Sequence, residues 1–344
     1  MLTRHANEAV WYQQFKTFVD AWSSVGDDYL GDNPFDKFLY VEEAESWEDF
    51  VNWFRGMHGV WAYRGQSDAS WALYPSIDRR LRVSGKSQYF EFYQQLDVRS
   101  YEQELMSRFQ WEAHQYRNYL PEEGDLTSWL ALMQHHGTPT RLLDWTASPY
   151  VAAYFALEDE TPKAAVWAID LDWLEERGNR ILQAQSRKRI PSNPLQRAGY
   201  INELLAPGTD EHDDDAPQMV VRVEPRKTDS WMTSQRGLFL CKCWHVPSMN
   251  QLVMRMMIHP NLVSTPRIKK LEIGGDLRVD FLEHLNAANI HRGSLFPGLE
   301  GFARSLDLDL QIKMHRLSRE MVDQAERFQS SMKTSVTENE EGYE

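Results

Sequence analysis

At 344 residues the chain holds one large domain or two ordinary ones, and with 42% apolar residues and thirteen Trp it can bury a core without disulfides or structural metals. A formal charge of −14 argues against a protein that holds nucleic acid chiefly by neutralising phosphates, which needs a dense basic face. The two cysteines, Cys241 and Cys243, sit too close along one strand to bridge; with no apolar run of ~20 residues and an opening stretch too polar for a signal peptide, they predict reduced thiols, a cytoplasmic address and no membrane.

In chain order, Val10, Tyr12, Phe15, Phe18 and Trp22 predict a helix over Glu8 to Ser24, inside an N-terminal helical extension of residues 1–41. Ser46 and Asp49 form a capping box for a helix to Gly56 with Trp47, Phe50, Val51 and Phe54 on one face. The run from Gly59 to Arg64 reads as a buried strand that delivers Arg64 beside Gly65. Ser87 to Tyr119 has almost no Gly or Pro and predicts one long or broken helix; Leu126 to His136 predicts another, capped by Thr127 or Ser128. Ser148-Pro149 starts a helix whose small residues, Ala152, Ala153 and Ala156, let it lie close to a sheet.

Lys163 to Ile169 reads as a strand, and Asp170 caps a short helix to Glu176. Gln218 to Val223, Gly237 to Cys243 and Ile268 to Ile273 predict further strands, with Ser234 to Arg236 as a turn, and Asp276 to Asn289 and Glu300 to Ser331 predict helices. The acidic stretch from Ser330 to Glu344 is expected to lack structure. The carboxylates of Asp213 to Asp215 fan outward in a surface loop, so no metal is expected there, and the basic runs at Arg79, Arg80, Arg82 and Lys86, at Arg187 to Arg189 and at Lys227 read as solvated faces. The fold class is therefore α+β, a mixed sheet core with flanking helices.

Two segments concentrate polar residues between apolar flanks. In Tyr63-Arg64-Gly65-Gln66 an arginine leaves a strand beside a glycine, where it either presents its fork to a phosphate or carboxylate or pairs an internal carboxylate such as Asp144. In Gln134-His135-His136-Gly137-Thr138-Pro139-Thr140-Arg141-Leu142-Leu143-Asp144-Trp145-Thr146 only one histidine can face inward from the helix end, which argues against a metal pair and makes one a hydrogen-bond partner or base and the other a surface residue. Arg141 and Asp144 are close enough in sequence to lock each other. A Ser-His-Asp triad lacks its GxSxG elbow, and Ser148 is explained as a cap. Gln235, at the mouth of a strand in Gln235-Arg236-Gly237-Leu238-Phe239, is a third, weaker element.

Together YRGQ, WALYPS with Arg79, QHHGTPTRLLDWTASPYVAAYFA, SQRGLF and SLFPGLEG resemble the FRG domain family over Glu42 to Leu308, leaving 1–41 and 309–344 outside a domain of 42–308. The family occurs among bacterial and phage proteins, and the resemblance implies a toxin or phage-defence role. The same blocks are similar to ADP-ribosyltransferases, which implies NAD as co-substrate and an ADP-ribosyltransferase-like fold. On that likeness Tyr63, Arg64, Gly65, Gln66, Arg141 and Thr146 bind the nucleotide, with Arg64 on the diphosphate; His136 and Thr146 orient the ribose or nicotinamide side. Asp144 is stabiliser or base and Gln235 a positioning group. The pattern departs at Gly237, where the family carries a glutamate; a reaction through an oxocarbenium-like centre needs a nearby anion, so Asp144 supplies it or activity is absent. The alternatives are a module that binds a nucleotide or partner without turnover, and a nuclease-like hydrolase built on His136 and Asp144. The acceptor in a transfer would be protein or nucleic acid.

Overall fold

In the computed structural model, residues 40–81, 98–206, 216–225, 230–244, 249–257 and 266–340 are described. The helix expected over Glu8 to Ser24, the acidic triplet Asp213 to Asp215, and Arg82, Lys86 and Lys227 lie outside them.

The chain opens with β1 (Tyr40–Ala44), α1 (Trp47–Arg55), β2 (Trp61–Gln66), α2 (Ser76–Leu81), α3 (Val98–Ala113) and α4 (Leu126–His135). It continues with β3 (Leu142–Thr146), α5 (Pro149–Leu157), β4 (Lys163–Asp170), α6 (Leu171–Ala184), α7 (Pro194–Leu205) and β5 (Val220–Val223). Then come α8 (Ser230–Ser234), β6 (Gly237–Lys242), α9 (Met249–Met257), β7 (Ile268–Gly274), a 3-10 turn (Gly275–Leu277), α10 (Arg278–Ala287), α11 (Arg292–Leu295) and α12 (Leu299–Glu340). The strands form one mixed sheet in the order β1-β7-β4-β2-β3-β6-β5, parallel at β1–β7 and antiparallel at every other junction, so the fold is the expected α+β class.

Both faces of the sheet are covered, which is why β4 reads as a continuous apolar run with seven of its residues buried. On one face Trp145, Trp167 and Leu240 meet Leu130 and Met133 of α4, Leu174 of α6 and Leu252 of α9. On the other, Tyr63, Val166 and Ile273 meet Phe50 of α1, Ala152 of α5 and Phe281 of α10. The side chain of Ser46 caps α1 by accepting from Asp49 N, and Ser148 caps α5 by accepting from Val151 N with Pro149 in the first turn, as the sequence predicts.

The small residues of α5 do bring it close to the sheet. A Cβ on Gly65 would stand 2.0 Å from the Ala152 carbonyl oxygen and 2.5 Å from Ala156 N, so the helix crosses β2 at a separation that only glycine permits. This close crossing fixes the strand that carries Arg64.

Several expectations are corrected. The cap of α4 is Asp125, whose carboxylate accepts from Ser128 N, Ser128 Oγ and Thr127 Oγ1. The helix after Asp170 runs on to Ala184, and the turn at Ser234 to Arg236 closes a short helix. α12 continues to Glu340, well into the stretch expected to lack structure. Both cysteines are free and buried, and burial pushes the Cys241 thiol up to about 12 and raises that of Cys243 further.

Candidate functional site

The sheet is nearly interrupted at its centre. β2 pairs with β4 over six residues and β3 with β6 over five, but β2 and β3 share one rung, Tyr63 opposite Thr146. Antiparallel register would next set Arg64 against Trp145 and Gly65 against Asp144, and these rungs are absent. In their place Arg64 Nη1 donates 2.7 Å to the main-chain oxygen of Asp144, a side chain doing the work of a strand bond. A cavity of about 510 Å³ opens along this slot, within the ordinary range for small-molecule sites. Rings from both faces of the sheet line it, Trp145 from one and Tyr63 and Phe155 from the other.

Arg64 is the centre of the slot. Its side chain is 13% exposed, and Asp144 Oδ2 stands 3.9 Å from Nη1. Nε is buried and has no hydrogen-bond partner. Burial lowers the guanidinium pKa to about 10, opposed by the Asp144 charge and assisted by Arg79, so Arg64 stays charged at neutral pH. A second buried donor of the same cavity, Trp145 Nε1, is also unpartnered. Two unsatisfied donors in one slot are what an acceptor-rich ligand would satisfy.

Asp144 faces the opening with its side chain 67% exposed. Gln134 Nε2 donates 2.7 Å to its Oδ1, and Thr140 Oγ1 donates in turn to Gln134 Oε1. Thr140 is fully buried and ties into α2 through Ser76 Oγ, which donates to the Thr140 carbonyl and accepts from its N–H. The carboxylate is thus held by a relay anchored in the core while its second oxygen remains toward the slot. It is the one carboxylate among the described residues lining the cavity.

The remaining expected residues divide. Gly65 serves the crossing of α5. Gln66 is buried, accepts from Trp167 Nε1 at 2.6 Å and donates to the Ala72 carbonyl, holding the loop after β2 on the sheet. Thr146 Oγ1 donates 2.7 Å to the Gln235 carbonyl and accepts from Ser148 N, so both hydroxyl functions are spent in joining β3 to the turn before β6. Gln235 Nε2 donates to the Leu295 carbonyl, which fastens α11 to the slot. Tyr63 donates to Met57 Sδ, and burial lifts its phenol to about 12, so it lines the slot as a neutral ring.

Two expected residues lie elsewhere. Arg141 is 2% exposed and does not line the cavity; its Nε faces Glu102 Oε2 at 2.8 Å and Nη2 donates to the Leu205 carbonyl, so it belongs to the core and does not lock Asp144. His135, not His136, lines the slot; His136 forms the exposed C-cap of α4 with its ring perpendicular to that of His135, 4.8 Å away. One inward histidine follows from a helix end, but which one depends on where α4 stops.

The sequence reading also missed the aromatic wall: Trp71, Tyr119, Phe155, Phe239 and Phe296 line the same cavity. Trp71 and Phe296 lie in the WALYPS and SLFPGLEG segments, and no spacing rule shows that loops so distant in sequence meet. Among the described residues no cluster of His, Cys, Asp or Glu is placed to hold a metal ion, and no helix is long and apolar enough to cross a membrane.

Residues 59–165 match the FRG domain family. The match runs from the turn before β2 to the third residue of β4 and so takes in both strands of the slot, together with Arg64, Gln134, Thr140 and Asp144. No curated protein and no solved structure matches the chain.

Proposed function

We propose that this FRG domain takes NAD into the slot between β2 and β3, and that the chain is an ADP-ribosyltransferase-like or NAD-glycohydrolase-like effector of toxin or phage-defence type acting in the cytoplasm. The observation that carries the reading is Arg64: a charged, buried guanidinium with an unpartnered Nε, across the slot from a single open carboxylate. An arginine fork fits a diphosphate, and the rings of Trp71, Tyr119 and Phe296 fit planar bases. NAD, when bound, supplies a ribosyl carbon that becomes electron-poor as nicotinamide departs.

The chain's own part is to position and stabilise. Arg64 exchanges the Asp144 carbonyl for phosphate oxygens, and Trp145 Nε1 gains an acceptor. Asp144, oriented by Gln134 and Thr140, places negative charge where positive charge develops, the role for which the sequence offers no glutamate at Gly237. Gln235 and Thr146 keep the mouth in shape, and the aromatic wall excludes water. Because β3 is completed by β6, the proposed working unit reaches beyond the matched residues, over 42–308.

A non-catalytic nucleotide-binding module is the second reading, favoured by the engagement of Asp144 with both Gln134 and Arg64. Incubation of the purified chain with NAD, followed by mass spectrometry for free nicotinamide and by thermal shift, separates the two. The expected result is nicotinamide release that disappears in Arg64→Ala and Asp144→Asn, with NAD-dependent stabilisation lost only in Arg64→Ala. Stabilisation without release selects the binding module, and the absence of both overturns the assignment of NAD.

A further inference from the structure

α12 carries two different faces. Ser305 and Ile312 are buried against the body; Arg278 Nη1 donates to Gln311, and Arg316 Nε donates 2.7 Å to Glu283 of α10. At about 100° per residue, Leu299, Phe302, Leu306, Leu310, Met314, Leu317 and Met321 fall on the opposite face, and they are 44–82% exposed. Arg316 to Arg327 are all exposed, so the helix runs on past the body that supports its first half.

The outer stripe has a regular repeat. Leu299, Leu310 and Met321 recur every eleven residues, as do Leu306 and Leu317. Eleven residues complete about three turns, so such a stripe stays on one side of the helix over roughly 33 Å. The seven residues expose on the order of 800 Å², above the ~300–600 Å² of the largest patch on a typical monomer and comparable with the ~800 Å² that each partner contributes to a standard interface.

We propose that this stripe is the seam of a homodimer in which α12 of a second copy packs along it. A straight seam of this length needs a helix of comparable length with its own apolar stripe. Among the described residues the other helices have at most 16 residues, whereas a second α12 supplies both length and stripe by two-fold symmetry. The seam is coupled to the slot: Phe296 lines the cavity three residues before α12 begins, and Gly301 packs so tightly on Phe296 that a Cβ there would stand 1.9 Å from its carbonyl oxygen. Dimerisation would therefore buttress one wall of the cavity, whichever ligand the cavity takes.

Sedimentation equilibrium on the full chain from about 1 to 100 µM tests this. A species of twice the chain mass is expected, converted to monomer by Leu310→Glu with Leu317→Glu; both side chains point away from the body, and circular dichroism should be unchanged. A wild-type monomer across the range overturns the proposal, as does a double variant that stays dimeric. A monomeric Leu310→Cys variant that resists maleimide labelling would place another part of the same chain on the stripe, and overturns it too.

Discussion

Arg64 and Arg141 are both largely sheltered from solvent, with side chains 13% and 3% exposed, but they are held in different ways. Arg64 lies within β2 and Arg141 immediately before β3; each has a carboxylate opposite, and each reaches a main-chain carbonyl. Around Arg141 the site is closed: Glu102 is 4% exposed, its Oε1 accepts from Arg141 N at 3.1 Å, and its Oε2 faces the guanidinium at 2.8 Å. Around Arg64 it is open: the carboxylate is solvated and the pair is 3.9 Å apart. A closed pair fastens helix to strand, since removing either partner leaves a charge in the core. An open pair has contacts to exchange.

The largest expected effect follows from that contrast. Arg141→Ala should cost about 3–5 kcal/mol because it strands Glu102, whereas Arg64→Ala should cost no more than about 1 kcal/mol while losing ligand binding. Urea unfolding of both variants measures this, and equal losses would break the comparison. Next comes Gly65→Ala, for which overpacking against the Ala152 carbonyl should cost about 1–3 kcal/mol and lower Tm, because α5 must retreat from β2. The retreat should also move Phe155 and weaken binding at the slot, although no ligand-contacting side chain has changed.

A smaller effect separates two carboxylates. Burial tends to raise the pKa of Asp125, but hydrogen bonds from Ser128, Asn202 and Thr127 outweigh it and hold the value below the usual carboxylate range. A depressed folded value means that its stabilisation is full above the ordinary carboxylate pKa and is lost as pH falls through the folded one. Asp125→Ala should therefore cost about 1 kcal/mol at neutral pH, with the gap to wild type closing in acid, and Asp144→Asn should leave the urea midpoint almost unmoved.

Much of the frame was legible because local signals agreed. The Ser46 and Ser148 caps, the glycine after Arg64 and the alanines of α5 each name a local geometry that the fold uses. β1 was missed: it is a half-exposed edge strand whose pairing with β7, more than two hundred residues later, leaves no periodic trace. Arg64, Asp144 and Gln235, singled out as polar groups between apolar flanks, all line the one cavity, although Arg64 and Asp144 lie within their strands rather than at the strand mouths. Arg141 was misplaced because sequence proximity to Asp144 says nothing of Glu102, thirty-nine residues earlier, and the aromatic wall was invisible because its rings come from five separate segments, three loops, one helix and one strand.

The single rung between Tyr63 and Thr146 gives the sheet a seam. On one side β1, β7, β4 and β2 form one plate; on the other β3, β6 and β5 form another, and each is laced by complete ladders. Across this line the strand bonding amounts to one pair of residues and one arginine bond rather than a ladder of six, so the two plates are held together chiefly by the core that spans them, where Trp167 of one plate packs in the same cluster as Trp145 and Leu240 of the other. The packed rings are thus the clasp of the sheet where its own ladder lapses, and the slot takes the space that the missing rungs leave.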